Sequence, residues 1–177
     1  MKPAPALTGL GEKAAPPDVM GAMRMQRGAA PAQSNNAVDI LRNILMQDIG
    51  DAQQVEKAIA DLDKLALAGM SGLVQIGNTV FLVNRFDANK RPLPAATAEV
   101  HMFTEEPLQA IGQRFIAVAN TLRELGYKQI ISFSPEPGIT RILQQAAGPA
   151  KAQLQVKQDV QNMDGDMQPV YRIEVTL

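Results

Sequence analysis

The chain has 177 residues, of which 46% are hydrophobic and 20% charged, and its formal net charge is −1. This composition supports a packed core, and the small charge argues against non-specific binding to nucleic acid or to an anionic membrane. The absence of cysteine excludes disulfides, thiolate metal sites and a cysteine nucleophile. The sequence indicates neither a membrane span nor a secretory signal peptide, so we expect a protein of a cytoplasm or of a particle assembled there.

Residues 1–36 are rich in alanine, proline and glycine and show no sustained helical or strand periodicity. Such a segment buries too little apolar surface to offset its ordering entropy, which predicts a flexible or extended arm. One apolar cluster in it is a candidate docking peptide, because methionine side chains fit irregular grooves: Val19, Met20, Met23 and Met25. The alternative is that these residues form a chance cluster in a tail and have no function.

Residues 37–69 are predicted to form a helical hairpin. Asn36 is a candidate N-cap of the first helix, and Gly50 is its expected end. Asp51 and Gln54 form a capping-box pattern at the start of the second helix. The apolar residues of that helix recur at the spacing of one face: Val55, Ala58, Ile59, Leu62, Leu65 and Ala66. Helices of this length are marginal in water, so we expect both to pack on another surface.

Residues 70–177 alternate predicted strands and helices. The dipeptide Gly77-Asn78 is a two-residue hairpin signal. Short apolar or alternating runs predict strands at 73–76, 79–85, 97–103, 129–133, 152–160 and 170–177. Helical periodicity predicts one helix from about Glu106 to Gly126 and another from Pro137 to Gly148. The stripe of the first of these comprises Leu108, Ile111, Phe115, Val118, Leu122 and Leu125. The sequence therefore predicts an α/β domain.

The order of these elements resembles the GNAT N-acetyltransferase family. Residues 123–131 are similar to the passage from the family's third helix into its fifth strand, and residues 142–148 resemble its fourth helix and closing glycine. The resemblance covers residues 70–177. It implies a mixed, largely antiparallel sheet flanked by helices, with the helical hairpin and the arm in front of it. For an active member it also implies acetyl-CoA as the cofactor.

In that family a loop of pattern Q/R-x-x-G-x-G/A binds the pyrophosphate of acetyl-CoA at the start of the third helix. The corresponding positions are Pro107, Ala110 and Gly112, and only the last one matches. Glu105 and Glu106 also place negative charge where the phosphates would bind. The resemblance therefore implies a degenerate loop and no cofactor. The residues are better explained as ordinary residues of a helix N-terminus.

The family's general acid is a tyrosine on the fourth helix, and Gln144 occupies that position here. A glutamine cannot release a proton at neutral pH. If the protein is active, the candidate catalytic residues are Glu99 and His101, two positions apart on one strand face; the alternative is a solvated strand face. Asp164-Gly165-Asp166 lacks the further ligands of a calcium loop and predicts a turn, so we expect no metal site.

Loss of both the cofactor loop and the acid predicts a fold kept for its surface. Degenerate GNAT-like domains occur among virion proteins of tailed bacteriophages, and the chain looks like such a non-catalytic structural or assembly protein. Its expected partners are other virion subunits, without nucleic acid or membrane, and its expected location is the virion or the host cytoplasm. Two alternatives stay open: an active acetyl-CoA-dependent N-acetyltransferase with an atypical loop, and a bacterial adaptor or regulatory binding domain.

Overall fold

The computed structural model describes residues 36–163 and 166–177. This part of the chain contains four helices, α1 Ala37–Ile49, α2 Ala52–Leu67, α3 Leu108–Glu124 and α4 Pro137–Ala147. It also contains six strands, β1 Ser71–Ile76, β2 Thr79–Asn84, β3 Thr97–Thr104, β4 Gln129–Ser134, β5 Gln153–Met163 and β6 Asp166–Thr176. The strands form one sheet in the order β1-β2-β3-β4-β6-β5. All neighbours are antiparallel except β3 and β4, so the predicted α/β fold with a mixed, largely antiparallel sheet is confirmed.

Helices α1 and α2 pack on one face of the sheet. The Asn36 side chain caps α1, and Gly50 ends it with a φ of 70°. The Asp51 carboxylate caps α2 by accepting hydrogen bonds from two backbone N–H groups of its first turn. These caps agree with the sequence prediction. The apolar faces meet the sheet in a small cluster formed by Leu41, Val55, Ile59, Leu73 and Phe103. The sheet therefore supplies the surface that two short helices need.

Helices α3 and α4 pack on the opposite face and form the main core. Their buried side chains include Ile111, Phe115, Val118, Leu122, Leu143 and Ala146. Each large apolar side chain buried in this way contributes about 1.5–3 kcal/mol. Gly126 follows α3 with a φ of 86°, and the next N–H donates to the Leu122 carbonyl at 3.0 Å, which ends the helix as predicted.

Three details differ from the sequence predictions. Helix α3 begins at Leu108 rather than near Glu106, because the backbone is still extended at Pro107, the N-cap residue, with a ψ of 153°. Leu108 was expected in the buried stripe but is 44% exposed, since it lies beside an open groove between α3 and α4. Strands β5 and β6 are longer than predicted, because their ladder continues until Met163 lies opposite Asp166. Asp166 thus belongs to a strand rather than to the predicted turn.

The parallel pair of strands creates an opening in the sheet. Its ladder joins Thr97 with Gln129, Ala98 with Ile130 and Glu99 with Ile131. Beyond Glu99, β3 stays paired with β2 as far as Thr104, and β4 stays paired with β6 as far as Ser134. The described residues show no β3–β4 pairing there, so the two strands diverge from Glu99 onward. We call this gap the β3–β4 opening.

Candidate functional site

Glu99 lies at the point where the β3–β4 opening begins. The residue is 4% exposed, and its Oε1 atom lies 2.9 Å from Nε2 of His101, a hydrogen-bonding distance. The His101 side chain is 38% exposed. The alternative of a solvated strand face is wrong for Glu99, because its side chain is buried on the sheet face where α1 and α2 pack, the face that also carries Phe103. The pair thus joins a buried carboxylate to a partly exposed imidazole ring.

A second glutamate, Glu106, organises the connection from β3 to α3. Its carboxylate accepts a hydrogen bond from the Asn78 N–H at 2.7 Å and two from the Arg114 guanidinium at 2.6 and 3.0 Å. The Thr104 hydroxyl accepts the Glu106 N–H at 3.0 Å. The Arg114 hydrogen bond is the main reason why the pKa of Glu106 lies below its ordinary value, and the same bond raises the pKa of Arg114. We call the contact of Glu106 with Arg114 and Asn78 the Glu106 clamp.

The clamp closes over the turn between β1 and β2. Gly77 in that turn has a φ of 62°, and a Cβ atom there would lie 2.6 Å from a terminal nitrogen of Arg114 and 2.7 Å from Oε1 of Glu106. Glycine at this position therefore permits the left-handed backbone conformation, and it also leaves room for the Glu106–Arg114 ion pair to approach the turn. The sequence analysis found the hairpin signal but missed this second purpose.

The three candidate cofactor positions lie at the start of α3 rather than in a loop. Pro107 is the N-cap residue and has no N–H to donate. The Ala110 N–H already donates to the Pro107 carbonyl at 2.8 Å. Gly112 lies within the helix, where an added Cβ would meet the Ile142 side chain at 3.4 Å. These positions thus begin the helix and pack it closely against α4.

The position expected for a general acid carries no acid. Gln144 is exposed on α4. Tyr127 packs into the main core, where burial raises the pKa of its phenol. Tyr171 lies in β6, opposite Ser134 of β4. Neither tyrosine is on α4, the helix that carries the general acid in the GNAT family.

A groove of about 430 Å³ separates the exposed sides of α3 and α4. Apolar residues that line it include Gly112, Ile116, Ile142 and Ala146, and three exposed glutamines, Gln109, Gln113 and Gln145, also face it. Its lining contains no ionisable side chain. We call it the α3–α4 groove.

The predicted partner-binding cluster, Val19, Met20, Met23 and Met25, lies outside the described residues. Within residues 36–163 and 166–177, no three His, Asp or Glu residues are grouped so that they could hold a metal ion. No helix of that part is both long enough and apolar enough to cross a membrane.

No protein-family model and no curated protein matches the sequence. The fold is similar to that of RimL, the ribosomal L7/L12 alpha-N-protein acetyltransferase in complex with Coenzyme A, with a TM-score of 0.54, 12% identity and coverage of 82% of this chain and 92% of that one. A chimera of spermidine N-acetyltransferase SpeG from Vibrio cholerae and hSSAT gives a TM-score of 0.54, 9% identity and coverage of 82% and 94%. The chain also spans 57% of the GNAT domain of S. lividans PAT, at 20% identity and a TM-score of 0.38.

The structural match is wider than the sequence resemblance. Residues 70–177 carry the resemblance in sequence, whereas the match to RimL covers 82% of the chain and therefore reaches into residues before 70. At 12% identity such a likeness identifies a fold and not a reaction. The chain has the GNAT acetyltransferase fold.

Proposed function

We propose that this protein is a non-catalytic binding module on a GNAT fold, a structural or assembly component that acts through contacts with other protein subunits. The observation that carries the proposal is the Glu106 clamp at the start of α3. A cofactor pyrophosphate at a helix start needs free N–H donors and a positive potential. Here the number of free N–H donors and the positive potential are both reduced, because some of the groups that would supply them already have hydrogen-bonding partners.

Some of the donors around this helix start are already committed. Pro107 supplies none, the Glu106 N–H is bonded to Thr104, and the Ala110 N–H is bonded to the helix's own N-cap. The nearby cation, Arg114, is neutralised by Glu106 through two hydrogen bonds. A pyrophosphate here would therefore face the negative carboxylate of Glu106, while the positive guanidinium of Arg114 is already bonded to that carboxylate. This arrangement opposes binding of Coenzyme A through its phosphates.

The setting that we propose is the virion of a tailed bacteriophage, or the host cytoplasm before assembly. Its support is the sequence resemblance together with the neutral α3–α4 groove, which suits a protein partner better than a polyanion. Mass spectrometry of purified particles from a source that encodes this chain tests the setting. We expect the chain at a fixed copy number per particle, and its absence from washed particles would contradict the setting.

Calorimetry tests the absence of a cofactor site. Titration with acetyl-CoA or Coenzyme A at millimolar concentration should give no saturable heat. A dissociation constant in the micromolar range corresponds to about 8 kcal/mol of binding free energy and would overturn the proposal. Pantetheine, which lacks the pyrophosphate, is the matched control ligand, because it shows whether any heat depends on the phosphates.

An acetyl-CoA-dependent N-acetyltransferase is the second candidate, and the Glu99–His101 pair favours it. The pair lies where the sheet opens, and a carboxylate there could remove a proton from an amine acceptor. If the parent chain releases free thiol from acetyl-CoA in the presence of an amine, Glu99→Gln should lower the rate about 100-fold or more. The control is the same substitution at an exposed glutamate at the end of α3, Glu124→Gln. Saturable thiol release by the parent would favour this candidate over the binding module.

A further inference from the structure

We propose that the α3–α4 groove is the docking site for residues 19–25 of a second copy of this chain. The inference rests on the proposed function, since it names the surface and the segment through which a binding module would join its neighbour. It connects the methionine cluster of the sequence with a groove on the described part of the chain.

The groove has the chemistry of a peptide site. Its floor includes the side chains of Ile116, Ile142 and Ala146, and a charged occupant would lose hydration there without gaining an ionic partner. Glutamine amides both donate and accept hydrogen bonds, so the three glutamines match a peptide backbone, which also offers one donor and one acceptor per residue. An uncharged, apolar peptide therefore fits better than a polyanion.

Residues 19–25 match this lining. The segment contains three methionines, one valine, one alanine and one glycine, and Arg24 is its single charged residue. Unbranched thioether side chains adapt to irregular apolar grooves. In an extended segment Met23 and Met25 share one side while Arg24 lies on the other. Two methionines can then enter the groove while the guanidinium stays in water.

The position of α1 favours a second copy over the chain's own groove. Residue 25 is followed by 11 residues up to Asn36, which span roughly 40 Å at most. Helix α1 lies on the sheet face opposite to α3 and α4. The chain's own segment would have to cross an edge of the sheet to reach its own groove. A neighbour's groove needs no such path, and each copy then offers one segment and one groove, as in a head-to-tail assembly.

Disulfide trapping tests the contact, because the chain contains no cysteine and every cross-link must come from introduced residues. Two full-length single variants, Met23→Cys and Gln113→Cys, carry tags of different mass and are mixed under mild oxidation. Gln113 is exposed, so the substitution should leave the fold intact, which circular dichroism checks. The matched control replaces Gln113→Cys with Gln144→Cys, an exposed glutamine on α4 that does not line the groove.

We expect the mixed disulfide of Met23→Cys with Gln113→Cys to form at least ten times faster than the one with Gln144→Cys. Equal rates for the two partners, or no mixed disulfide, would overturn the inference. A cross-link within one chain of the double variant Met23→Cys/Gln113→Cys, without one between chains, would also overturn it. The calorimetric test of Coenzyme A is independent of these results, so failure of the docking site and failure of the proposed function are distinguishable.

Discussion

Two largely buried glutamates, Glu99 in β3 and Glu106 just after that strand, have different surroundings. The Glu106 side chain is 12% exposed and is bonded to a guanidinium and to a backbone N–H. The Glu99 side chain is 5% exposed, and its hydrogen-bonding partner among the described residues is His101. A carboxylate fixed by Arg114 keeps its charge and acts as a structural tie. The Glu99 carboxylate is instead bonded to an imidazole ring that is 38% exposed. The same residue type thus ties two elements together at Glu106 and forms a local pair within one strand at Glu99.

The core that supports both glutamates should give the largest effects. Phe115 and Leu122 of α3 are 7% and 0% exposed, so either residue changed to Ala should lower the free energy of unfolding by roughly 2–5 kcal/mol. Urea denaturation measures this loss, and Asn120→Ala on the exposed side of α3 is the control. If both core variants melt within about a degree or two of the parent, α3 does not pack on the sheet as described.

Removal of the Glu106 charge should give an intermediate effect. Glu106→Gln should lower the free energy of unfolding by roughly 1–2 kcal/mol, at or below the lower end of the range for hydrogen bonds to charged groups, because the pair is partly open to solvent. A double-mutant cycle with Arg114→Gln should show coupling between the two residues. Arg141→Gln, on the exposed side of α4, is the control partner. Equal coupling to Arg114 and Arg141 would show that the clamp adds no stability.

The clamp should also make stability depend on pH in acid. The pKa of Glu106 is lower in the folded chain than its ordinary value, mainly through the hydrogen bond from Arg114, so its contribution to stability is complete above the pKa of the unfolded chain. It is lost as the pH falls through the folded pKa. The difference in unfolding free energy between the parent and Glu106→Gln should be constant from pH 7 to about pH 5.5 and should shrink in more acidic solution. A difference that grows toward acid would contradict the clamp.

Glu99→Gln should give the smallest change in stability. The amide keeps the volume and can still bond to His101, and removal of a buried charge offsets the loss of a charge-assisted hydrogen bond. We expect a change below about 1 kcal/mol at neutral pH. Thermal melting of Glu99→Gln beside Glu106→Gln measures the contrast directly. Equal losses in the two variants would show that both glutamates are structural ties.

Local chemistry explains what could be predicted from the sequence. The caps at Asn36 and Asp51 and the helix end at Gly126 depend on residues within one turn, so their patterns are readable in sequence. Strand alternation placed Glu99 and His101 on one face of β3, and Ala98 and Val100 on the other face do pack together in the main core. The element order and the fold class follow from such local signals.

The rest depends on contacts between distant residues. Asn78 and Glu106 are 28 positions apart, so nothing near Glu106 in the sequence indicates that its carboxylate leaves the helix start. The burial of Glu99 arises from the packing of α1 and α2 on its face of the sheet, and strand alternation alone cannot distinguish a solvated face from one that helices cover. Leu108 is exposed for a similar reason. It is the first residue of the apolar stripe of α3, and whether α4 covers it depends on how the two helices are placed.

The most direct test of the central claim is a residue-resolved one, namely an amide NMR titration of the full chain with Coenzyme A. The N–H groups of Leu108 and Gln109 lie in the first turn of α3 and would report a bound pyrophosphate. With the clamp in place, we predict that their chemical shifts stay unchanged up to millimolar Coenzyme A. Saturable shifts of these amides at micromolar concentrations would contradict the account, because the helix start would then hold the cofactor despite Pro107 and Glu106.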